Sequence, residues 1–294
     1  YDETEFARTA SKHFNTEHYE YYVTPADVVD MVPKVAAFLD EPFGNSSALP
    51  AYFCAKLARE QGVKVLLAGD GGDELFAGND RYAKQGLFER YQHLPESLRR
   101  TGIEAPLDWL KNSGLPLVGK ARSYVEQAKI PLPERLQTYN FLHRIPHETV
   151  FAPDFLAAVD TERPLKQLRE AYWGCEADSY VDRMLFLDWK FTLADNDLVK
   201  VGSMCQLAGV EVRYPLLDDE LVEFSTRVPA ALKLRGNRLR YFYKRALTGF
   251  LPEATINKSK HGFGLPFGVW MRNEPALQAL AYDSLTSLKR RGFF

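Results

Sequence analysis

The segment LLAGDGGDELFAG, residues 66 to 78, holds the side chains best suited to chemistry in this chain of 294 residues. Three acids, Asp70, Asp73 and Glu74, lie among glycines directly after an apolar run. Carboxylate oxygens are the ligands that Mg²⁺ prefers, and substrate phosphates and waters usually complete its coordination. Glycines let the backbone approach a ligand closely. The structural alternative is that Asp70 or Asp73 only caps a helix that begins near residue 73.

A basic loop with several glycines, NKSKHGFGLP, occupies residues 257 to 266. A lysine on such a loop can reach over a bound triphosphate as a compact point charge. There it would stabilise the charge that develops on phosphorus in a transition state. The alternative is a surface loop with solvated lysines, and His261 alone indicates nothing.

A third polar group follows later in the chain, as DNDLVK at 195 to 200 and GVEVRYPLLD at 209 to 218. Its first acids are equally consistent with dipole-matched caps at the start of a helix. Glu211 and Arg213 are equally consistent with an ordinary ion pair. Composition does not decide between these readings.

The elements that would position these groups form an α/β segment over residues 1–85, which predicts a parallel-sheet α/β core. In open parallel sheets, ligands bind at the carboxyl ends of the strands. Thr24, Pro25 and Asp27 form a helix-start signal with a capping box. The predicted elements are a helix over 3–14, a strand over 18–23, a helix from residue 25 that Pro33 bends or restarts, a helix over 46–61, and a buried strand over 63–69.

Residues 86–294 predict a mainly helical remainder, because strand signals fade and amphipathic stretches separated by proline or glycine take over. The predicted helices cover 177–193, 195–208, 218–227 and 239–249. The predicted connections cover 94–100, 113–119 and 130–134.

Composition limits the function classes. Lys and Arg total 37 and Asp and Glu 39, a net charge of −2 that disfavours binding to nucleic acid or to anionic membranes. With 46% hydrophobic and 26% charged residues, the chain is neither disordered nor collagenous. No apolar run approaches the roughly 20 residues of a membrane helix. The first residues carry no signal-peptide pattern, and three widely spaced cysteines read as buried, reduced thiols, so we expect a cytoplasmic protein.

Five stretches, in order along the chain, resemble the synthetase domain of the glutamine-hydrolysing asparagine synthases. The resemblance implies a parallel-sheet, adenine-nucleotide α-hydrolase-like (Rossmann-like) core followed by an α-rich part. It also implies that an aspartate side-chain carboxylate attacks the α-phosphate of ATP and that ammonia then displaces AMP to give asparagine. The stretches are DEPFGNSSALPAY (40–52), LLAGDGGDELFAGNDRY (66–82), GVEVRYPLLDDELVEF (209–224), LRGNRLRYFYKRAL (234–247) and SKHGFGLPF (259–267).

The acidic segment carries most of the roles that the resemblance implies. Ala68 and Gly69 would present backbone to the nucleotide. Asp70 matches an acid needed for adenylate formation, and Asp73 would hold Mg²⁺ and pyrophosphate.

Two further residues receive implied roles from the other matching stretches. Lys260 matches a mobile-loop lysine that stabilises the pentavalent phosphorus. Asp197 matches an acid near the pyrophosphate or near that lysine. Arg213 lies in a segment that looks structural in the family, and it receives no firm role.

The sequence also departs from the family pattern. The pyrophosphate loop of the form SGGxDS does not occur in these residues, and the nearest text, Gly44 to Ser47, is a different element expected over the nucleotide. Gly202 and Ser203 replace a charged Asp-Arg pair. No glutaminase domain is present to supply ammonia from glutamine. We therefore expect an internal fragment that folds, exposes a sheet edge and is inactive alone; a homodimer is compatible with the family.

Other functions stay open at this point. A related amidotransferase would adenylate a different carboxylate with the same residues. A Mg²⁺-dependent phosphohydrolase would use the three acids, would leave the basic loop unexplained and would release phosphate in place of pyrophosphate. A non-catalytic fragment would show no turnover.

Overall fold

Helices dominate the computed structural model, which describes residues 3–138, 140–258 and 263–292. In the described residues the α-helices are α1 (Thr4–Phe14), α2 (Pro25–Phe38), α3 (Ala48–Glu60), α4 (Gly72–Phe76), α5 (Asp80–Gln92), α6 (Ala105–Trp109), α7 (Pro116–Lys129), α8 (Glu134–Gln137), α9 (Pro153–Ala158), α10 (Arg163–Gly174), α11 (Tyr180–Leu187), α12 (Leu198–Ala208), α13 (Asp219–Arg227), α14 (Ala230–Lys233), α15 (Tyr241–Ala246), α16 (Glu253–Asn257), α17 (Phe267–Asn273) and α18 (Pro275–Lys289). Two segments are π-helical, Leu98–Glu104 and Asp188–Asp197, and three are 3₁₀-helical, Phe141–Arg144, His147–Thr149 and Pro215–Leu217.

The sheet of the described residues is small and parallel. Strand β1 (Val65–Leu67) pairs with strand β2 (Glu211–Arg213), with Val65 opposite Glu211 and Leu67 opposite Arg213. The strand predicted over 63–69 is therefore present, but its predicted burial is wrong, since Leu67 is 70% exposed. Within the described part of the chain, β1 has a neighbour on one edge only. Strand β2 was not predicted, because its short EVR sequence shows no clear strand pattern.

The strand predicted over residues 18–23 is wrong, since these residues adopt no regular secondary structure. One of their aromatic side chains, that of Tyr21, packs against helix α3 instead. The ring of Tyr21 stacks on that of Phe53, and its hydroxyl donates a hydrogen bond to Asp27 at 2.9 Å. Aromatic and β-branched residues thus favoured a strand for which the described residues provide no partner.

Most helix predictions are confirmed, with two corrections at particular residues. The Thr24 hydroxyl accepts from the Asp27 N–H at 3.3 Å, and the Asp27 carboxylate accepts from the Thr24 N–H at 2.8 Å, so the capping box forms. Helix α2 does not restart at Pro33 but continues to Phe38, because Val28 and Val35 on either side are buried in one core. The predicted break near residue 194 is also absent, since the chain stays helical from α11 through the π segment into α12.

Two hydrophobic cores position the site. One joins α2, α3 and α12 through residues such as Val28, Phe53 and Met204. The other joins α5, α10 and α11 through Tyr82, Tyr172 and Met184 among others. The long helical run therefore has one end in each core, with the π segment between them. The three cysteines are free thiols, of which only Cys205 is buried, so the predicted burial of the other two is wrong.

Candidate functional site

A tight turn at the carboxyl end of β1 leads into α4 and carries the acidic segment. The Ala68 N–H donates to the Arg213 carbonyl at 2.8 Å, which ties the end of β1 to β2. Gly71 has φ of 93°, and a Cβ there would lie 2.2 Å from a methyl carbon of Leu217. Only glycine suits this backbone and this contact. The turn therefore presents Ala68, Gly69 and Asp70 at the carboxyl end of the sheet, and their role toward a ligand stays a prediction.

Asp70 lies with Asp197 and Lys200 in one electrostatic cluster. Burial raises the pKa of Asp70, the Lys200 ammonium opposes that rise, and the Asp197 charge adds to it. Lys200 is buried and forms an ion pair with Asp197 at 2.6 Å. Asp70 and Asp197, two predicted site residues that are distant in sequence, therefore both lie near Lys200.

Glu74 is the buried member of the acidic segment, with only 7% of its surface exposed. The pKa of Glu74 is raised to about 7. Burial is the largest cause, and the charges of Asp73, Asp188 and Asp197 contribute to the rise. The carboxyl is therefore partly protonated near neutral pH. The sequence predicts Glu74 as one of three possible Mg²⁺ ligands. It does not indicate that the side chain is buried, because burial depends on tertiary packing.

Asp73, the residue before Glu74 in α4, pairs with Arg240. Arg240 Nη1 lies 3.5 Å from Asp73 Oδ1. A Cβ on Gly78 would lie 1.7 Å from the same carboxylate oxygen, so the absence of a side chain at Gly78 makes room for Asp73. Arg240 itself has φ of 51°, and its buried Nε makes no hydrogen bond within the described residues. Arg240 is a candidate site residue that the sequence did not single out.

Arg240 also lines a cavity of about 620 Å³. Burial and the Arg240 charge lower the pKa of Lys244, another lining residue, as expected where cations crowd together. Lys258 reaches the same cavity and pairs with Glu3 at 2.5 Å. The cavity therefore favours an anion. Its ionisable lining residues, apart from tyrosine, are Asp80, Arg238, Arg240, Lys244, Arg245 and Lys258.

Lys260 lies in the segment 259–262, outside the described residues, so its role stays a prediction. The described chain reaches Lys258 on one side of this segment and resumes at Phe263 on the other. The structure therefore places the start of the basic loop at the cavity that Arg240 lines.

The stretch 40–52 contacts the site through Asn45. Its amide Nδ2 donates to Asn196 Oδ1 at 2.7 Å, and its Oδ1 accepts from the Ser47 N–H at 3.1 Å. Asn196 directly precedes Asp197. The segment from Gly44 to Ser47 is thus held against the end of the π segment.

A metal site built from protein alone is absent from the described residues, which contain no group of three or more His, Cys, Asp or Glu side chains able to hold an ion. Mg²⁺ commonly binds through one or two carboxylates plus substrate phosphates. The Asp73 carboxylate, in the space left by Gly78 and beside the anion-favouring cavity, fits that second arrangement.

Comparison with known proteins identifies the family. The family model described as asparagine synthase matches residues 1–294, and the chain belongs to the asparagine synthase family. The chain is 25% identical to asparagine synthetase [glutamine-hydrolyzing] 1 of Bacillus subtilis over 93% of its own length and 42% of the relative's. It is 28% identical to a putative asparagine synthetase [glutamine-hydrolyzing] of Mycobacterium tuberculosis (strain H37Rv), over 92% of this chain and 40% of the relative.

A third relative matches a shorter part. Putative asparagine synthetase [glutamine-hydrolyzing] 2 of Methanocaldococcus jannaschii is 36% identical over 36% of this chain and 21% of its own length. The chain spans about two-fifths of the length of the first two relatives. None of the helices in the described ranges is long and apolar enough to span a membrane.

Proposed function

We propose that this chain is the synthetase part of an ATP-dependent, amide-forming ligase of the asparagine synthase type. The observation that carries the proposal is that α4 joins two complementary environments. Asp70 and Glu74 both lie near Asp197, which pairs with Lys200. Asp73 pairs with Arg240, which lines the basic cavity. An adenylation site needs both, because the phosphate chain must be neutralised while a carboxylate substrate reacts at its α-phosphorus.

In the proposed reaction, an oxygen of the aspartate side-chain carboxylate attacks the α-phosphorus of ATP. The bond to the β-phosphate breaks, pyrophosphate leaves, and an aspartyl-adenylate forms. Ammonia then attacks the acyl carbon, the acyl-oxygen bond breaks, and AMP and asparagine are released with loss of a proton. Glutamine hydrolysis elsewhere in the full-length protein would supply the ammonia.

The residues of this chain would share the work as follows. Ala68 and Gly69 would offer backbone to the nucleotide, and Asp70 would be needed for adenylate formation. Asp73 would hold Mg²⁺ together with the phosphates; when bound, Mg²⁺ supplies charge neutralisation on the pyrophosphate side.

The cations would act on the leaving group. Arg240, whose Nε has no hydrogen-bond partner in the described part of the chain, would receive a phosphate oxygen at the cavity. Lys260 would approach the α-phosphate, and Asp197 would orient nearby cations. We also propose that β1 and β2 are part of a larger Rossmann-like sheet.

The test uses the product of the complete open reading frame that encodes this chain. It is incubated with ATP, Mg²⁺, ammonium and one of several carboxylic acids, including aspartate, and AMP, pyrophosphate and phosphate are measured. We expect AMP and pyrophosphate in equal amounts, only when a suitable acid is present. Release of inorganic phosphate without an acid would support a phosphohydrolase instead, and selectivity for another acid would support a related amidotransferase.

A further inference from the structure

The helical run from Tyr180 to Ala208 changes its winding over residues 188 to 197. An α-helix has about 3.6 residues per turn, so two residues nine positions apart lie on opposite faces. A π-helix has wider turns closed by i to i+5 hydrogen bonds, and nine positions make about two full turns. The π winding therefore returns Asp197 to the same face as Asp188.

The electrostatics of α4 agree with this geometry. The charges of both Asp188 and Asp197 contribute to the raised pKa of Glu74, so both acids lie near Glu74. Asp197 also acts on the pKa of Asp70. If the segment were α-helical with Asp188 unmoved, Asp197 would point away from these carboxyls.

Arg81, in the first turn of α5, braces the beginning of the π segment. Its Nε donates to Asp188 Oδ2 at 3.1 Å, and its Nη2 contacts Asp188 Oδ1 and donates to Thr192 Oγ1 at 3.1 Å. The Thr192 hydroxyl in turn donates to Asp188 Oδ1 at 3.1 Å. The Tyr82 hydroxyl donates to Asp188 as well. The planar guanidinium thus bridges one turn of the segment, which a lysine could not do with the same geometry.

The other end of the segment lies at the candidate site. Asn196 is held by Asn45 at 2.7 Å, and Asp197 pairs with Lys200 at 2.6 Å. The hydrogen bonds and ion pair of Arg81 in the described residues go to Asp188 and Thr192, and not to Asn196, Asp197 or Lys200. Any effect of Arg81 on Asp197 would therefore pass through the winding of the helix between them, whereas an effect on Glu74 can also pass through the charge of Asp188.

We propose that Arg81 is a positioning residue, which holds residues 188 to 197 in their π winding and so keeps Asp197 directed at Asp70 and α4. The proposal rests on the proposed function, in which Asp197 serves the phosphate side of adenylation. Asp188 and Thr192 are the partners through which Arg81 acts.

The main test compares Arg81→Gln and Arg81→Lys with the unaltered full-length gene product in aspartate-dependent exchange of pyrophosphate into ATP. We expect Arg81→Gln to lower kcat between about 10-fold and 10²-fold, the scale of a catalytic group misplaced from a distance, with a smaller change in KM for ATP. Arg81→Lys should restore only part of the rate. Arg90→Gln, a change at an exposed arginine on the same helix, is the matched control and should leave the rate unchanged.

A second measurement separates positioning from simple stabilisation. In a double-mutant cycle, Arg81→Gln and Asp197→Asn should be strongly non-additive, since both remove the same function. Amide hydrogen exchange over residues 192–200 should be faster in Arg81→Gln than in Arg90→Gln. If Arg81→Gln does not fold, Thr192→Val, which keeps the Arg81 and Asp188 pair, replaces it and should show the same pattern more weakly.

The outcomes are distinguishable from failure of the proposed function. Absence of any aspartate-dependent exchange in the unaltered protein would overturn the proposed function. Normal exchange in the unaltered protein, together with additive effects and unchanged hydrogen exchange over 192–200, would overturn the role of Arg81. If Arg81→Gln lowers the melting temperature but keeps full activity per folded molecule, Arg81 only stabilises the fold and the positioning role is overturned.

Discussion

Replacing Asp73 should change activity with little effect on stability, because its side chain is partly exposed and its ion pair is weak. Its side chain is 27% exposed and its ion pair with Arg240 is long, at 3.5 Å, so the pair contributes roughly 0 to 1 kcal/mol to folding. We predict that Asp73→Asn lowers pyrophosphate release strongly and changes the melting temperature little. Asp108→Asn, at an exposed acid near Arg122, is the control. A large fall in melting temperature with preserved activity per folded molecule would contradict the assignment.

Lys260 should act mainly in the transition state, because a loop lysine that meets the phosphates on closure adds little to ground-state binding. Lys260→Ala is expected to lower the adenylation rate by on the order of 10²-fold or more, with a modest change in ATP affinity. Lys260→Arg should rescue only in part, and Lys111→Ala, at an exposed lysine, should have no effect. Unchanged pyrophosphate release in Lys260→Ala would show that Lys260 is a solvated surface lysine without a role in the reaction.

Glu74 makes stability depend on pH. At low pH its carboxyl is protonated in both states, but as pH rises from about 4.5 to about 7 the unfolded chain releases this proton first. The folded state then holds more protons and loses stability, and the loss persists above pH 7. Relative to the unaltered chain, Glu74→Gln should therefore gain about 2 kcal/mol in unfolding free energy between pH 5 and pH 8.

Urea denaturation in buffer without divalent cations measures this difference. Glu170→Gln, at an exposed glutamate, should show no pH-dependent gain. An equal effect of Glu74→Gln at both pH values would show that the folded-state pKa of Glu74 is not raised.

The sequence predicts which acidic residues belong to the candidate site but not which residues they interact with. Asp70 and Asp73 follow a strand and are set among glycines, a pattern visible in the text. Arg240 meets Asp73 and Lys200 meets Asp70 only because α4, α12 and the start of α15 converge in three dimensions. The spacing of residues along the chain does not predict that these helices come together.

Strand β1 shows what sequence patterns convey at the level of an element. Its apolar run predicts a strand buried on both faces, as in parallel sheets. The strand forms, but Val65 and Leu67 are exposed, and neither makes a backbone hydrogen bond to another element among the described residues beyond the β1–β2 pairing. The burial that the pattern predicts is therefore not reached in the two-stranded sheet of the described residues.

This leads to a prediction about the open edge. In a parallel ladder the peptide groups of alternate residues point to opposite edges, and those of Lys64 and Ala68 bond to β2. The amides of Val65 and Leu67 should then exchange faster than that of Ala68 in the 294-residue chain. In the full-length gene product they should become protected, because an additional strand would cover the edge. Equally fast exchange in both proteins would contradict a larger sheet.

Capping chemistry marks the start of one predicted helix, α2, whereas the helices predicted over 3–14 and 46–61 form without a side-chain cap. Thr24 and Asp27 define the start of α2 through a local hydrogen-bond pair that the sequence shows directly. The π winding over 188–197 has no such local signature. It is stabilised by Arg81, which lies far away in sequence, so only the folded structure reveals it.

The whole molecule is an α-rich member of the asparagine synthase family with a small parallel sheet. Family membership was accessible from five matching stretches, since motif residues keep their order along the chain. The arrangement of two cores around one helical run was not, because apolar periodicity shows which face is buried but not against which partner.

In the proposed function, a carboxylate substrate is adenylated at the carboxyl end of β1. Aspartate labelled with ¹⁸O in its side-chain carboxylate tests this most directly, in the full-length gene product with ATP, Mg²⁺ and ammonium. Attack of that carboxylate on the α-phosphorus, followed by displacement of AMP, transfers one ¹⁸O atom to each AMP. We predict labelled AMP in amounts equal to asparagine, and its loss in Asp73→Asn. Unlabelled AMP, or phosphate carrying only solvent oxygen, would contradict adenylation as the function of this site.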